Sequence, residues 1–267
     1  MPKLENLENL PRKILPIIYV LDTSGSMQGD KIASVNNAME ETMQVLKDVS
    51  ASNPDAETRV GVLTFSSGTK WFTNGIVSLE EYYWNNIDAG GVTDLGDAIK
   101  ELNKRMSRSD LLSADDGVGY NVPVLIFMTD GQPTDNWEKE LNKALAENKW
   151  FKASTKIGIA IGDDADTEVL KKVVGNVEAI IKVTDNETLK KLIKVVSVSA
   201  SLVNSKSRVN SEQDTATEII ENTMNTMNEE KVEQVTDNNT NQPDPQPQPQ
   251  PDPDPGFDDG FGGDDWN

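Results

Sequence analysis

The chain has 267 residues, with 45 Asp and Glu against 25 Lys and Arg, a formal charge of −20, and neither histidine nor cysteine. Without cysteine there is no disulfide framework, thiolate nucleophile or cysteine zinc site, and without histidine no Ser-His-Asp triad or imidazole ligand. Any metal must be held by oxygen, which favours magnesium, calcium or manganese. The acidic balance argues against broad binding to nucleic-acid phosphates.

In chain order, residues 1–12 read as an N-terminal extension, acidic at Glu5 and Glu8. The apolar run Ile14–Leu21 is too short to span a bilayer and lacks a cleavage signature, so a soluble, cytoplasmic protein with no membrane insertion is expected. That run ends in a Gly/Ser loop, as a strand buried on both faces does. Lys31–Ser50 places Ile32, Val35, Met39, Met43 and Leu46 at helical spacing. Arg59–Phe65 reads as a strand, Thr69–Val77 as an edge strand, Leu95–Met106 as a helix and Val122–Thr129 as a strand. Trp137–Phe151 reads as a helix, Lys156–Ile161 as a strand, Thr167–Val174 as a helix, Ala179–Val183 as a strand and Asn186–Leu202 as a closing helix. Strands alternating with crossover helices predict an α/β, doubly wound, mostly parallel sheet with one antiparallel edge strand, over residues 13–203.

Composition breaks near Val203. Residues 204–267 hold 15 acidic and three basic residues, and seven of the 13 prolines fall between Pro243 and Pro255. Alternating prolines forbid helix and ladder pairing, so this stretch is expected to be a disordered acidic Pro/Gln/Asp-rich tail. Residues 211–235 offer few large apolar positions with which a transient helix could dock. Phe257, Phe261 and Trp266, set among Asp258, Asp259, Asp264 and Asp265, suggest an alternative function: an interaction scaffold working through a linear motif.

In doubly wound sheets, ligands bind at the carboxyl ends of strands where strand order reverses. Three loops lie where that rule points. The first strand ends in Asp22-Thr23-Ser24-Gly25-Ser26; residues two apart in an extended chain face the same way, so Asp22, Ser24 and Ser26 can converge. The loop Gly90-Gly91-Val92-Thr93-Asp94 enters a helix and offers the Thr93 hydroxyl. Met128-Thr129-Asp130-Gly131 supplies a second carboxylate from Asp130. Taken singly, Asp22, Asp94 and Asp130 could each merely cap a helix; three such loops in this order are harder to dismiss.

Here the chain resembles the von Willebrand factor A-type family and its metal-ion-dependent adhesion site: DxSxS after the first strand, a Thr in a Gly-rich loop, and an Asp after the fourth strand. Asp22, Ser24, Ser26, Thr93 and Asp130 match that pattern over a likeness spanning residues 13–203. The stretches VLDTSGSM, GGVTDLGDAI, FMTDGQPTD, IGIAIGDDAD and VVSVSASL resemble bacterial TerY-type tellurium-resistance-associated proteins. The resemblance implies that those five residues hold a divalent metal, that a partner protein's Asp or Glu completes its shell, and that the protein is not an enzyme. It further implies a stress-response or signalling assembly with kinase- or phosphatase-like partners.

The enzymatic rival is a haloacid-dehalogenase-type phosphohydrolase with Asp22 as nucleophile, towards which Gly162-Asp163-Asp164-Ala165-Asp166 bears a superficial likeness to a late acidic metal motif. That chemistry needs a second Asp where this chain has Ser24. Asp166 is instead expected to cap the helix that follows it.

Overall fold

A computed structural model describes residues 12–113, 118–205, 212–227 and 232–235. The elements in chain order are β1 (Lys13–Asp22), α1 (Asp30–Ser52), β2 (Ala56–Ser66), β3 (Gly68–Trp71), β4 (Val77–Ser78), α2 (Leu95–Arg105) and β5 (Val124–Thr129). They continue with α3 (Trp137–Glu147), α4 (Lys149–Ala153), β6 (Thr155–Ile161), α5 (Thr167–Val174), β7 (Ile180–Val183), α6 (Asn186–Ser205), α7 (Glu212–Met227) and β8 (Val232–Gln234).

All eight strands form one sheet in the order β3-β2-β1-β5-β6-β7-β8, with β4 also pairing β2. The five strands from β2 through β7 run parallel, and the antiparallel partners sit at the rims. Every residue of β1 from Ile14 to Asp22 is buried, so both faces of the central strand are covered, which is why it reads as an uninterrupted apolar run. On one face, Tyr19 donates its hydroxyl to Ser197 Oγ at 2.8 Å and Thr58 bonds Ser201 at 2.7 Å, fixing α6 to β1 and β2. The other face holds Ile18 and the Trp71 ring, whose Nε1 donates to Glu101 of α2 at 3.1 Å. A proline in this strand is tolerated because pairing with β5 begins opposite Ile17, one residue after Pro16.

Several expectations shift. The single helix expected over Trp137–Phe151 is two, because Asn148 ends α3 and then caps α4, accepting from Trp150 N and Phe151 N. The edge strand expected over Thr69–Val77 divides into β3 and β4 around Gly75, which has φ +79°. The larger correction concerns the acidic tail. Residues 212–227 are not a solvated segment: α7 packs on α6, and Ile219 and Ile220 are both 0% exposed. A further antiparallel strand, β8, then extends the sheet beyond β7. The Pro/Gln/Asp-rich stretch with Phe257, Phe261 and Trp266 lies outside the described residues. Among the described residues, no helix is long and apolar enough to cross a membrane.

Candidate metal centre

Strand order reverses between β1, which is followed by its neighbour β2, and β5 on its other side. The carboxyl ends of β1 and β5 therefore open the crevice in which ligands of such sheets bind. Leu21 lies opposite Met128, so Asp22 leaves β1 level with Thr129, whose Oγ1 donates to Asp22 Oδ2 at 2.6 Å. The other carboxylate oxygen of Asp22 accepts from Ser24 N at 2.8 Å, turning the chain into a single tight turn over Gly25–Met27.

Side-chain oxygens then run unbroken across the crevice. Ser24 Oγ lies 3.0 Å from Ser26 Oγ, and Ser26 Oγ donates to Asp130 Oδ1 at 2.7 Å. Asp22, Ser24, Ser26 and Asp130 are thus gathered into one hydrogen-bonded group, with Asp22 1% and Asp130 3% exposed. The loop that carries Thr93 is tied to the segments on either side of this group through its backbone. Gly90 N donates to Thr23 O at 2.7 Å and Gly25 N to Gly91 O at 3.0 Å, pinning the Gly-rich loop to the first. Thr134 N donates to Thr93 O at 2.8 Å, tying the same loop to the segment after Asp130. Gly91 is required here: its φ is +91°, and a Cβ would stand 2.5 Å from Ser67 Oγ.

Three participants were not evident from the sequence. Thr129 orients Asp22. Lys31, in the first turn of α1, places Nζ 2.5 Å from Asp130 Oδ2 and 3.8 Å from Asp164 Oδ1. Asp94 makes no cap bond to α2; it accepts from Gly68 N at 2.9 Å and from Thr134 Oγ1 at 3.3 Å, bracing the loop from behind. No local signal in the sequence points to Lys31, whose partner lies 99 positions away. Asp166 caps α5 through Glu168 N and accepts from Gln132 Nε2 at 2.7 Å.

The electrostatics call for a cation. Burial pushes the Asp22 carboxyl above its usual range, opposed by hydrogen bonds from Thr129 and Ser24 and reinforced by the charge of Asp130. Adjacent ligands of an octahedral ion with bonds of about 2.0–2.1 Å lie roughly 2.8–3.0 Å apart, close to the 3.0 Å between Ser24 Oγ and Ser26 Oγ and the 2.7 Å between Ser26 Oγ and Asp130 Oδ1. All the donors are hard oxygens, so the residues fit magnesium or a similar divalent ion.

One consequence is measurable without metal. Because the folded-state pKa of Asp22 is raised, ionising it opposes folding: the favourable contribution is present below the unfolded pKa and is lost as pH rises through the folded one. Asp22→Asn removes the charge while keeping an acceptor for Ser24 N. In chelator at pH 7 the variant is expected to melt above the parent. Thermal scans should show that gap closing as the pH falls towards 4.

A doubly wound sheet with an oxygen-lined crevice at its switch point defines a class of cation-binding α/β domains. The chain belongs to the von Willebrand factor type A domain family, whose model matches residues 17–195, and such domains are metal-dependent adhesion and protein-interaction modules. Inter-alpha-trypsin inhibitor heavy chain 4 of Mus musculus is 30% identical over 151 residues, 53% of this chain and 14% of that protein. Heavy chain H2 of Homo sapiens is 25% identical over 177 residues, 63% of this chain and 17% of that one. This chain thus spans about a sixth of the length of these curated relatives. Among solved structures, proximal thread matrix protein 1 from the mussel byssus, with a zinc-occupied metal-ion-dependent adhesion site, superposes with TM-score 0.53 at 20% identity, covering 72% of this chain and 48% of that one. The pilus adhesin SpaC of Lactobacillus rhamnosus GG, in an open conformation, gives TM-score 0.54 at 12% identity, covering 73% and 31%. At these identities the two structures speak to fold alone.

Proposed function

We propose that this chain binds another protein through a divalent cation, magnesium by preference, held by Asp22, Ser24, Ser26, Thr93 and Asp130, and that it catalyses no reaction. The observation that carries this reading is the oxygen group from Asp22 through Ser24 and Ser26 to Asp130, assembled from two strand ends 104 residues apart in sequence at its closing bond. A cation bound there supplies a Lewis-acidic centre for an incoming carboxylate. The chain's own part is positional. Asp22 fixes the Ser24 turn, Thr129 fixes Asp22, and the Gly90–Gly91 backbone holds Thr93 against the first loop.

The zinc-occupied site named for the mussel protein supports metal binding in this fold. The serine at position 24 favours a ligand shell over phosphoryl transfer, which needs an acid/base there. The resemblance of the stretches VLDTSGSM, GGVTDLGDAI and FMTDGQPTD to TerY-type proteins supports a finer setting: a cytoplasmic bacterial stress-response assembly with kinase- or phosphatase-like partners.

The test is a pull-down from the source cell with the purified chain, run with magnesium and again with a chelator. Proteins captured only with magnesium are the expected result; identical sets in both lanes would overturn the reading.

A further inference from the structure

The Asp130 carboxylate is divided between two cations' worth of chemistry. Oδ1 faces the hydroxyls of Ser26 and Ser24, on the side where the metal ligands converge. Oδ2 is engaged by the Lys31 ammonium at 2.5 Å. The Asp130 side chain is 0% exposed and that of Lys31 27%, so this ion pair is largely withdrawn from solvent screening. The loop after β6 closes over the ammonium. Gly162, at φ +99°, passes so near that a Cβ would stand 3.3 Å from Lys31 Nζ, and Asp164 approaches the same atom from the solvent side. Lys31 is therefore built into the site rather than swinging over the surface.

Two physical consequences follow. The Lys31 ammonium offsets part of the negative charge that Asp22 and Asp130 bring to the crevice, while Asp164 faces solvent, so a divalent ion within it keeps more surplus positive charge than the two carboxylates alone would leave. Asp130 is also held with one oxygen turned away from the hydroxyl group, so it cannot offer both oxygens to a cation. Each effect weakens the hold on a bare ion, and each strengthens the pull on an anionic ligand that arrives from outside.

We propose that Lys31 is a positioning residue that couples the two binding events, keeping the metal loosely held alone and tightly held once a carboxylate completes its shell. The proposal rests on the metal-dependent reading above and deepens it. It assigns to one lysine the setting of the coupling, which by linkage is the same whether read as metal affinity with carboxylate present or carboxylate affinity with metal present.

The test is isothermal titration of the full chain with MnCl2, with and without saturating acetate, for the parent, Lys31→Met and Lys31→Arg. Lys31→Met keeps the length and loses the charge. It is expected to bind Mn2+ about tenfold more tightly than the parent without acetate, and to gain several-fold less from acetate. Lys31→Arg restores the charge and should return both values towards the parent's. A structural role alone would lower the melting temperature in chelator without moving the acetate dependence. If the parent binds Mn2+ and Lys31→Met binds it equally or more weakly, the coupling role is wrong while the metal site stands. If the parent binds no Mn2+, the metal-dependent reading and this inference fall together.

Discussion

Asp22→Ala is expected to abolish magnesium-dependent capture of a partner, with the affinity for magnesium or manganese falling more than about 100-fold, since loss of outer hydrogen-bond partners alone typically costs 10–100-fold. Asp22 does two things at once. It supplies one of the two carboxylates in the crevice, and its Oδ1 holds the Ser24 turn that aims the hydroxyls. Alanine removes both. It also leaves Thr129 Oγ1 and Ser24 N without their acceptor, at about 1–3 kcal/mol for a buried donor, while removing the cost of a buried charge. These opposing effects leave the fold standing, so circular dichroism and a melting temperature in chelator close to the parent's are expected. Asp22→Asn separates the two contributions: it retains the turn but not the charge, and should bind metal poorly while melting above the parent. Unchanged metal affinity in Asp22→Ala, measured by calorimetry, would remove the site from the account.

What could be read from the sequence follows from how each feature is encoded. β1 and Asp22 were legible because a parallel strand covered on both faces must be apolar throughout, and its first polar residue marks the carboxyl end. α1 was legible because Ile32, Val35, Met39, Met43 and Leu46 recur at helical spacing, and all five are buried. Asp130 was singled out by the same strand-end rule, and Thr93 by its Gly-rich loop before a helix, together with the family resemblance. Lys31 was not, because its meaning lies in reaching a residue 99 positions away; nothing local distinguishes it from a solvated lysine in a first helical turn. The break at Asn148 was hidden for a related reason. The helical periodicity continues across it, and the cap that Asn148 offers Trp150 N and Phe151 N is fixed in place by bonds from its Nδ2 to Asn103 O and Met106 O that no local pattern encodes. α7 was missed because acidity averaged over residues 204–267 swamped a narrow stripe. Ala216, Ile219, Ile220, Thr223 and Met227 are all buried, yet only three of them are large and apolar. Thr223 enters the core because its hydroxyl donates to Ile219 O at 2.7 Å, satisfying the polar group within the helix.

That stripe gives Ile220→Asp a large expected effect on stability. Ile220 is 0% exposed, and a carboxylate there would have to be buried without a partner or carried out into water. Burying it costs several kcal/mol. Releasing α7 instead forfeits the burial of Ile219, Ile220 and Met227, roughly 1.5–3 kcal/mol for each large side chain. The two alternatives are of similar size, and only the second leaves the charge hydrated, so α7 should leave α6. The conformational entropy regained by the released helix offsets part of that loss, so a fall in melting temperature of roughly 10 °C is expected, as about 3–4 kcal/mol gives in a domain of this size. Ile220→Val, which removes one methyl group, should cost only about 0.5–1.5 kcal/mol. Amide exchange locates the effect: residues 212–227 are expected to be protected in the parent and exposed in Ile220→Asp, while β1 and β5 remain protected. Manganese affinity should be unchanged, because α7 packs on α6, β6 and the turn at Val177–Ala179, whereas the metal crevice is built from the ends of β1 and β5. If Ile220→Asp instead melts with the parent and exchanges like it, Ile220 does not contribute to the core, and the acidic composition of this stretch would be the better guide to its structure.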